Sequence, residues 1–249
     1  MTADVLSGAE AFSHQGGSSG VLVVHGFTGN PSSMRPLAER AAGAGYSVEL
    51  PRLPGHGTTI EDMQTTTWAD WAGAAESAYL DLAKRCEKVA LVGLSMGGSL
   101  CAYLAERHAE VAGAVLINPL VKPPVAELLE GLDALLEAGV DSFESIGSDI
   151  KKEGVVELSY DATPLVPAKS LFEGVARVHE NLSRIESPIL LLSSREDHVV
   201  TSDNGDDVVE MVSGPLERFW LEDSYHVATL DNDQALIESL TLDFLAKVL

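Results

Sequence analysis

Basic residues are scarce in this sequence. Sixteen Lys and Arg stand against 38 Asp and Glu, a formal net charge of −22. Nucleic-acid binding needs clustered Lys and Arg, so a nucleic-acid partner is excluded, and docking on anionic lipid is disfavoured. The acidic excess reads as a solvated face that aids solubility, with salt adaptation as the other reading. Cysteine is rarer still: Cys86 and Cys101 both fall in segments that read as helical. Two thiols in so long a chain make no disulfide framework, and buried, reduced thiols are expected. Long apolar runs are missing too. Nothing approaches the roughly 18 residues of a membrane span, and "MTADVLSGAEAFSHQGG" lacks the basic region and apolar stretch of a secretory signal. A cytoplasmic protein without stable membrane insertion is expected. Clusters of His, Cys and carboxylate at ligand spacing are likewise missing, so neither metal nor cofactor is implied.

What is there is an alternation of short apolar runs and helical stretches. "GVLVVHG" (20–26), "YSVELP" (46–51), "KVALVG" (88–93), "GAVLIN" (113–118), "PILLLSS" (188–194) and "ERFWLE" (217–222) read as strands. Several are near-continuous and β-branched, as strands buried on both faces of a parallel sheet should be. Between them "WADWAGAAESAYLDLAKRC" sets Trp68, Trp71, Ala75, Tyr79 and Leu82 on one helix face. Strand and helix in this repetition imply a doubly wound, mostly parallel α/β sheet in one domain. One region breaks the rhythm. Residues 120–167 exceed what a simple connection needs, and Val125, Leu128, Leu129, Leu132, Leu135, Leu136 and Val140 repeat at helical spacing. This segment is expected to form a small cap over the carboxyl ends of the strands, with 1–119 and 168–249 as the core. It holds ten Asp or Glu between Ala126 and Ala162 against Lys151 and Lys152, which reads as a solvated face.

The chemistry centres on "VALVGLSMGGSL". A G-x-S-x-G pattern alone is weak evidence, but here a strand runs directly into Ser95 and a helix follows, the context that exposes a serine on a sharp turn. The helix N-terminus favours developing negative charge, and the Met96 amide can donate to an oxyanion. The loop "VVHGFTG" offers the Phe27 amide as second donor, and His25 beside it reads as structural. A serine needs a base oriented by a carboxylate. Of seven histidines, His14, His56, His108 and His179 lie away from any late strand, and His226 follows the last strand, in "FWLEDSYHVATL". Asp197 follows the preceding strand in "LLLSSREDHVV", with Glu196, Asp203 and Glu222 as the other carboxylates in reach. His198 reads as structural, because a base bound to its neighbour's carboxylate could hardly reach Ser95. The chain order Ser95, Asp197, His226 is the one such a fold uses for a catalytic triad.

With these residues in place the chain closely resembles the α/β-hydrolases, and within them the bacterial monoacylglycerol lipases and their carboxylesterase relatives. The resemblance rests on "HGFTG", "RLPGHGTT", "GLSMGG", "IGSDIKKEGVVELSY", "SREDHVV" and "SYHVATLDND" and spans nearly the whole chain. It implies an α/β-hydrolase fold with a cap inserted after the sixth strand and lining an acyl tunnel. It also implies a serine hydrolase cleaving monoacylglycerols to glycerol and fatty acid without cofactor, and it puts nucleophile, acid and base on Ser95, Asp197 and His226. The oxyanion donors fall on the amides of Phe27 and Met96. Substrate contacts are expected at Glu157, which would accept hydrogen bonds from a glycerol head, and at Ile146 and Asn118. The partner implied is a small lipid or ester, with transient lipid contact through the cap. Three other readings stay open: a general carboxylesterase for shorter acyl esters, a peptidase or carbon–carbon bond hydrolase with the same triad, and a non-catalytic small-molecule sensor on the same fold.

Overall fold

The computed structural model describes residues 3–145 and 147–249. In chain order the elements are β1 (Phe12–His14), β2 (Ser19–Val24), α1 (Arg35–Gly43), β3 (Ser47–Leu50), α2 (Ile60–Met63), α3 (Trp68–Ala83), β4 (Lys88–Leu94), α4 (Met96–Arg107) and β5 (Gly113–Ile117). They continue with α5 (Ala126–Glu137), β6 (Ser142–Glu144), β7 (Ala162–Pro164), α6 (Leu165–Asn181), β8 (Ile189–Ser194), α7 (Asp203–Met211), β9 (Leu216–Leu221) and α8 (Gln234–Val248). Seven strands form one sheet in the order β1-β3-β2-β4-β5-β8-β9. Every pairing is parallel except that of β1, which runs antiparallel to β3 at the edge.

The near-continuous apolar runs are divided between two faces by the period of the strand. Leu22, Val24, Leu91, Ala114, Leu116 and Leu191 meet Trp71 and Tyr79 of α3, Leu100 of α4 and Val175 and Val178 of α6. Their neighbours Val21, Val23, Ala90, Val92, Val115, Ile117, Leu190 and Leu192 meet Leu37 and Ala41 of α1 and Ile237, Phe244 and Leu245 of α8. Helices on both faces bury the sheet, and the loops at the carboxyl ends of its strands are left to carry function.

The insertion leaves the sheet after β5, which is the fifth strand in chain order and not the sixth. Sequence reading also passed over β1 and the antiparallel pair β6–β7 within the insertion, each three residues long, with β1 and β6 mostly exposed. The chain returns with α6, which packs on α3 and α4. The leucines of α5 repeat at helical spacing as expected, but only Leu132 is buried, while Leu128 and Leu135 are 46% and 41% exposed.

Beneath the loop after β2, two buried histidines join an aromatic cluster. His25 Nδ1 donates to the Gly26 carbonyl at 2.9 Å, and its Nε2 accepts from the Leu53 amide at 3.1 Å. His56 Nδ1 donates to the Pro54 carbonyl at 2.9 Å, and its ring meets Trp71 edge-on with centroids 5.5 Å apart. Burial first, then the neighbouring imidazole, pushes His25 down to about 3, and burial pushes His56 down to about 4. Both rings are therefore neutral in the fold, whereas an unfolded chain protonates them below about 6.5. Their contribution to stability is full above that pH and declines as pH falls toward the folded values. Side-chain NMR of the two histidines will show the neutral Nδ1–H tautomer from pH 8 down to pH 5, roughly 1.5 units below an ordinary imidazole. Titration near 6.5 would contradict this packing.

Candidate active site

Ser95 stands where β4 turns into α4, with φ 56° and ψ −121°, a left-handed-side conformation that a serine adopts only when its surroundings enforce it. Two glycines permit the turn. A Cβ on Gly97 would lie 2.1 Å from the Val24 carbonyl oxygen, and one on Gly93 would lie 2.2 Å from that of Gly97. The Ser95 amide donates to Ile117 of β5 at 3.0 Å, and its carbonyl accepts from the amides of Ser99 and Leu120. The Ser95 turn is thus tied both to the sheet and to the first residues of the insertion. The loop after β2 lies against the serine: a Cβ on Gly26 would sit 3.9 Å from Ser95 Oγ. The amides of Phe27 and Met96 donate to no other residue among those described, so both remain available to a developing oxyanion.

His226 follows β9, and its Nδ1 donates to Asp197 Oδ2 at 2.8 Å. The side chains of this pair are only 8% and 3% exposed. Asp197 is itself fixed, since its Oδ1 accepts from the amides of Val199 and Val200 at 2.9 and 2.7 Å. The other carboxylates in reach are occupied elsewhere: Glu196 faces Lys151, Asp203 faces Lys122 and Glu222 faces Arg195. With a proton held on Nδ1, the ring presents Nε2 as a proton acceptor.

Ser95 and His226 line one cavity of about 670 Å³. Its wall is largely apolar, with Phe27, Leu120, Leu128, Leu132, Leu135, Phe143, Leu171, Phe172, Val199 and Val200. Its charged lining residues are Glu127, Asp149 and Glu157, and neither Lys nor Arg stands among them. Glu157 reaches back over the loop after β2, so that its Oε1 would be 2.8 Å from a Cβ on Gly29. Burial pushes the Glu157 carboxyl up to about 7, against the opposing pull of His226 and a hydrogen bond with Ser33.

A family model described as the alpha/beta hydrolase family matches residues 21–239. The chain belongs to the alpha/beta hydrolase family. It is 47% identical to a thermostable monoacylglycerol lipase of Bacillus sp. (strain H-257), over 98% of this chain and 96% of that one. It is 29% identical to a carboxylesterase of Bacillus subtilis (strain 168), over 95% and 96% of the two chains. A solved structure of the metagenome-derived lipolytic enzymes LipS and LipT superposes with a TM-score of 0.94 at 44% identity, covering 98% of this chain and 100% of that one.

In this alpha/beta hydrolase the insertion supplies a carboxylate that sequence reading left among the acidic excess. Asp149 is buried, and its Oδ2 accepts from the backbone amides of His226 at 3.0 Å and His198 at 3.2 Å. Its Oδ1 accepts from His198 Nδ1 at 2.8 Å, a bond that raises the His198 pKa. One side chain thereby spans the loops that carry Asp197 and His226. Asp231, fully buried, fastens the same region from the other side by accepting from the amides of Lys151, Lys152 and Tyr225. Asn118 requires a correction. It is not among the residues that line the cavity; its carboxamide instead donates to the His226 carbonyl and Ser194 Oγ at 2.9 Å each, and accepts from the Ser194 amide at 2.7 Å. Its φ of 43° turns it toward those groups, which makes it a brace for the His226 loop. Ile146, also expected at the substrate, lies outside the described residues.

Asp149→Ala leaves two backbone amides without an acceptor. Each buried amide so orphaned costs about 1–3 kcal/mol, and denaturant unfolding of the variant will show a loss in that range or above it. Wild-type stability in Asp149→Ala would mean that the clamp has no energetic role.

Proposed function

We propose that this protein is a serine esterase that cleaves monoacylglycerols through an acyl-enzyme, with residues 120–167 as the cap over its acyl site. The observation that carries the reading is the apolar cavity that Ser95 and His226 share with Glu157. An acyl chain suits the leucine and phenylalanine wall, while a glycerol head suits the carboxylate. The absence of Lys and Arg from the described lining residues favours an uncharged ester over an anionic one and opposes retention of a fatty-acid anion once it forms. The 47% identity to a monoacylglycerol lipase supports the same choice.

In the first step Ser95 Oγ bonds to the ester carbonyl carbon while His226 Nε2 takes its proton. The carbonyl oxygen becomes an oxyanion held by the Phe27 and Met96 amides, a stabilisation of roughly 3–4 kcal/mol per donor in comparable sites. The bond to the glycerol oxygen then breaks, and that oxygen leaves with the proton carried by His226. In the second step a water loses its proton to the same nitrogen and attacks the acyl carbon. The fatty acid departs and the proton returns to Ser95. Asp197 keeps His226 in the Nδ1–H tautomer and stabilises the imidazolium formed in each step.

The 29% identity to a carboxylesterase supports a second reading, in which the cavity takes simple esters and Glu157 has no part in recognition. The two separate on kcat/KM for mono-, di- and triacylglycerols beside an alkyl ester of the same acid. The monoacylglycerol will be preferred, and Glu157→Gln will lower the monoacylglycerol-to-alkyl-ester ratio by about tenfold or more, as loss of a hydrogen bond to a charged group does. The preference will strengthen as pH rises through about 7, where Glu157 becomes a carboxylate. Equal rates for both substrates, unchanged in the variant, would establish the general esterase. Absence of turnover would leave a binding protein.

A further inference from the structure

The helix α5 turns one face to the cavity, composed of Glu127, Leu128, Gly131, Leu132 and Leu135. In the centre of that face stands a residue without a side chain. Glycine inside a helix costs about 0.5–1 kcal/mol relative to alanine, so its presence needs a reason. A strained backbone supplies none, because Gly131 is not among the positive-φ glycines. Close approach supplies none either: among the described residues, a Cβ built on Gly131 meets nothing within 4 Å. This is the reverse of Gly97, where a Cβ would strike the backbone of β2. The helix itself has no use for a glycine here; Gly131 is exposed and stands on the lining of the cavity.

We propose that Gly131 is a specificity-determining position, the gap in the leucine wall that admits the far methylenes of a long acyl chain. This rests on the acyl-ester reading given above and extends it to chain length. Across the cavity α6 contributes Ala168, Leu171 and Phe172, and α5 packs directly on that helix. An isobutyl group at position 131 would take up part of the cavity that these two walls share. A methyl group would fill less of it.

The test is the kcat/KM profile of p-nitrophenyl esters from acetyl to palmitoyl for wild type, Gly131→Ala and Gly131→Leu. Removing room for methylenes in an apolar pocket discriminates by about tenfold or more, so Gly131→Leu will lower the lauroyl-to-acetyl ratio by at least that factor, chiefly through KM. Gly131→Ala will shift the ratio in the same direction by less, with a Tm no lower than wild type, which separates the effect from misfolding. A Gly131→Leu profile that superimposes on wild type, or that falls equally at every length, would overturn the proposal. If wild type cleaves none of these esters, the esterase reading itself fails, and this inference with it.

Discussion

Between β4 and α4 the backbone must pass within contact distance of β2 while Ser95 takes a positive φ. It can do so because hydrogen alone occupies the α-carbons of Gly93 and Gly97 at that crossing. Everything around the cavity follows from this turn. It lifts Ser95 out of a buried parallel sheet at the carboxyl end of a central strand, leaves the Met96 amide unpaired at the start of a helix, and brings the loop after β2 against the serine. A larger atom at Gly97 would separate β2 from β4, whose pairing runs from Ser19–Lys88 to Val24–Gly93. The same tight packing fixes the sheet and aims the serine.

The second constraint is electrostatic. In a chain with a net charge of −22, buried carboxylates are stable only where donors meet them. Asp149, Asp197 and Asp231 satisfy this with backbone amides: those of His198 and His226, of Val199 and Val200, and of Lys151, Lys152 and Tyr225. The bonds of Asp149 and Asp231 stitch the insertion to the loops after β8 and β9. Tyr160 does the same on the opposite side, where its hydroxyl donates to the Gly55 carbonyl at 2.8 Å and accepts from the Thr58 amide at 2.9 Å. The segment that roofs the cavity is thus fastened to three loops of the core at its 149–160 end, whereas α5 keeps leucines exposed at the other.

Much of this was legible in the sequence for identifiable reasons. A parallel strand buried on both faces writes itself as an apolar run, so all six runs appear as strands. Strand β1, spelled Phe-Ser-His at an edge, carries no such run. The pairing of Asp197 with His226 was readable because both follow strands in a fixed order. Asp149 and Asp231 were not, because backbone amides do most of the clamping, the one side-chain partner, His198 on Asp149, lies 49 residues away, and in an acidic chain one more aspartate looks like surface. Asn118 was misread for a related reason: its place just beyond β5 suggested the cavity, but a φ of 43° turns its amide toward β8 and the His226 loop. Gly131 lay hidden in the apolar pattern of α5, since a missing side chain has no periodicity.

Covalent labelling addresses most directly whether Ser95 is the group that becomes acylated. The protein would be treated with a fluorophosphonate ester, which traps a serine only where a base and an oxyanion site activate it. Intact-mass measurement and peptide mapping then locate the adduct. A single adduct is expected on the peptide carrying Ser95, absent from Ser95→Ala. An adduct on another residue, or none from a protein that still turns over esters, would contradict it.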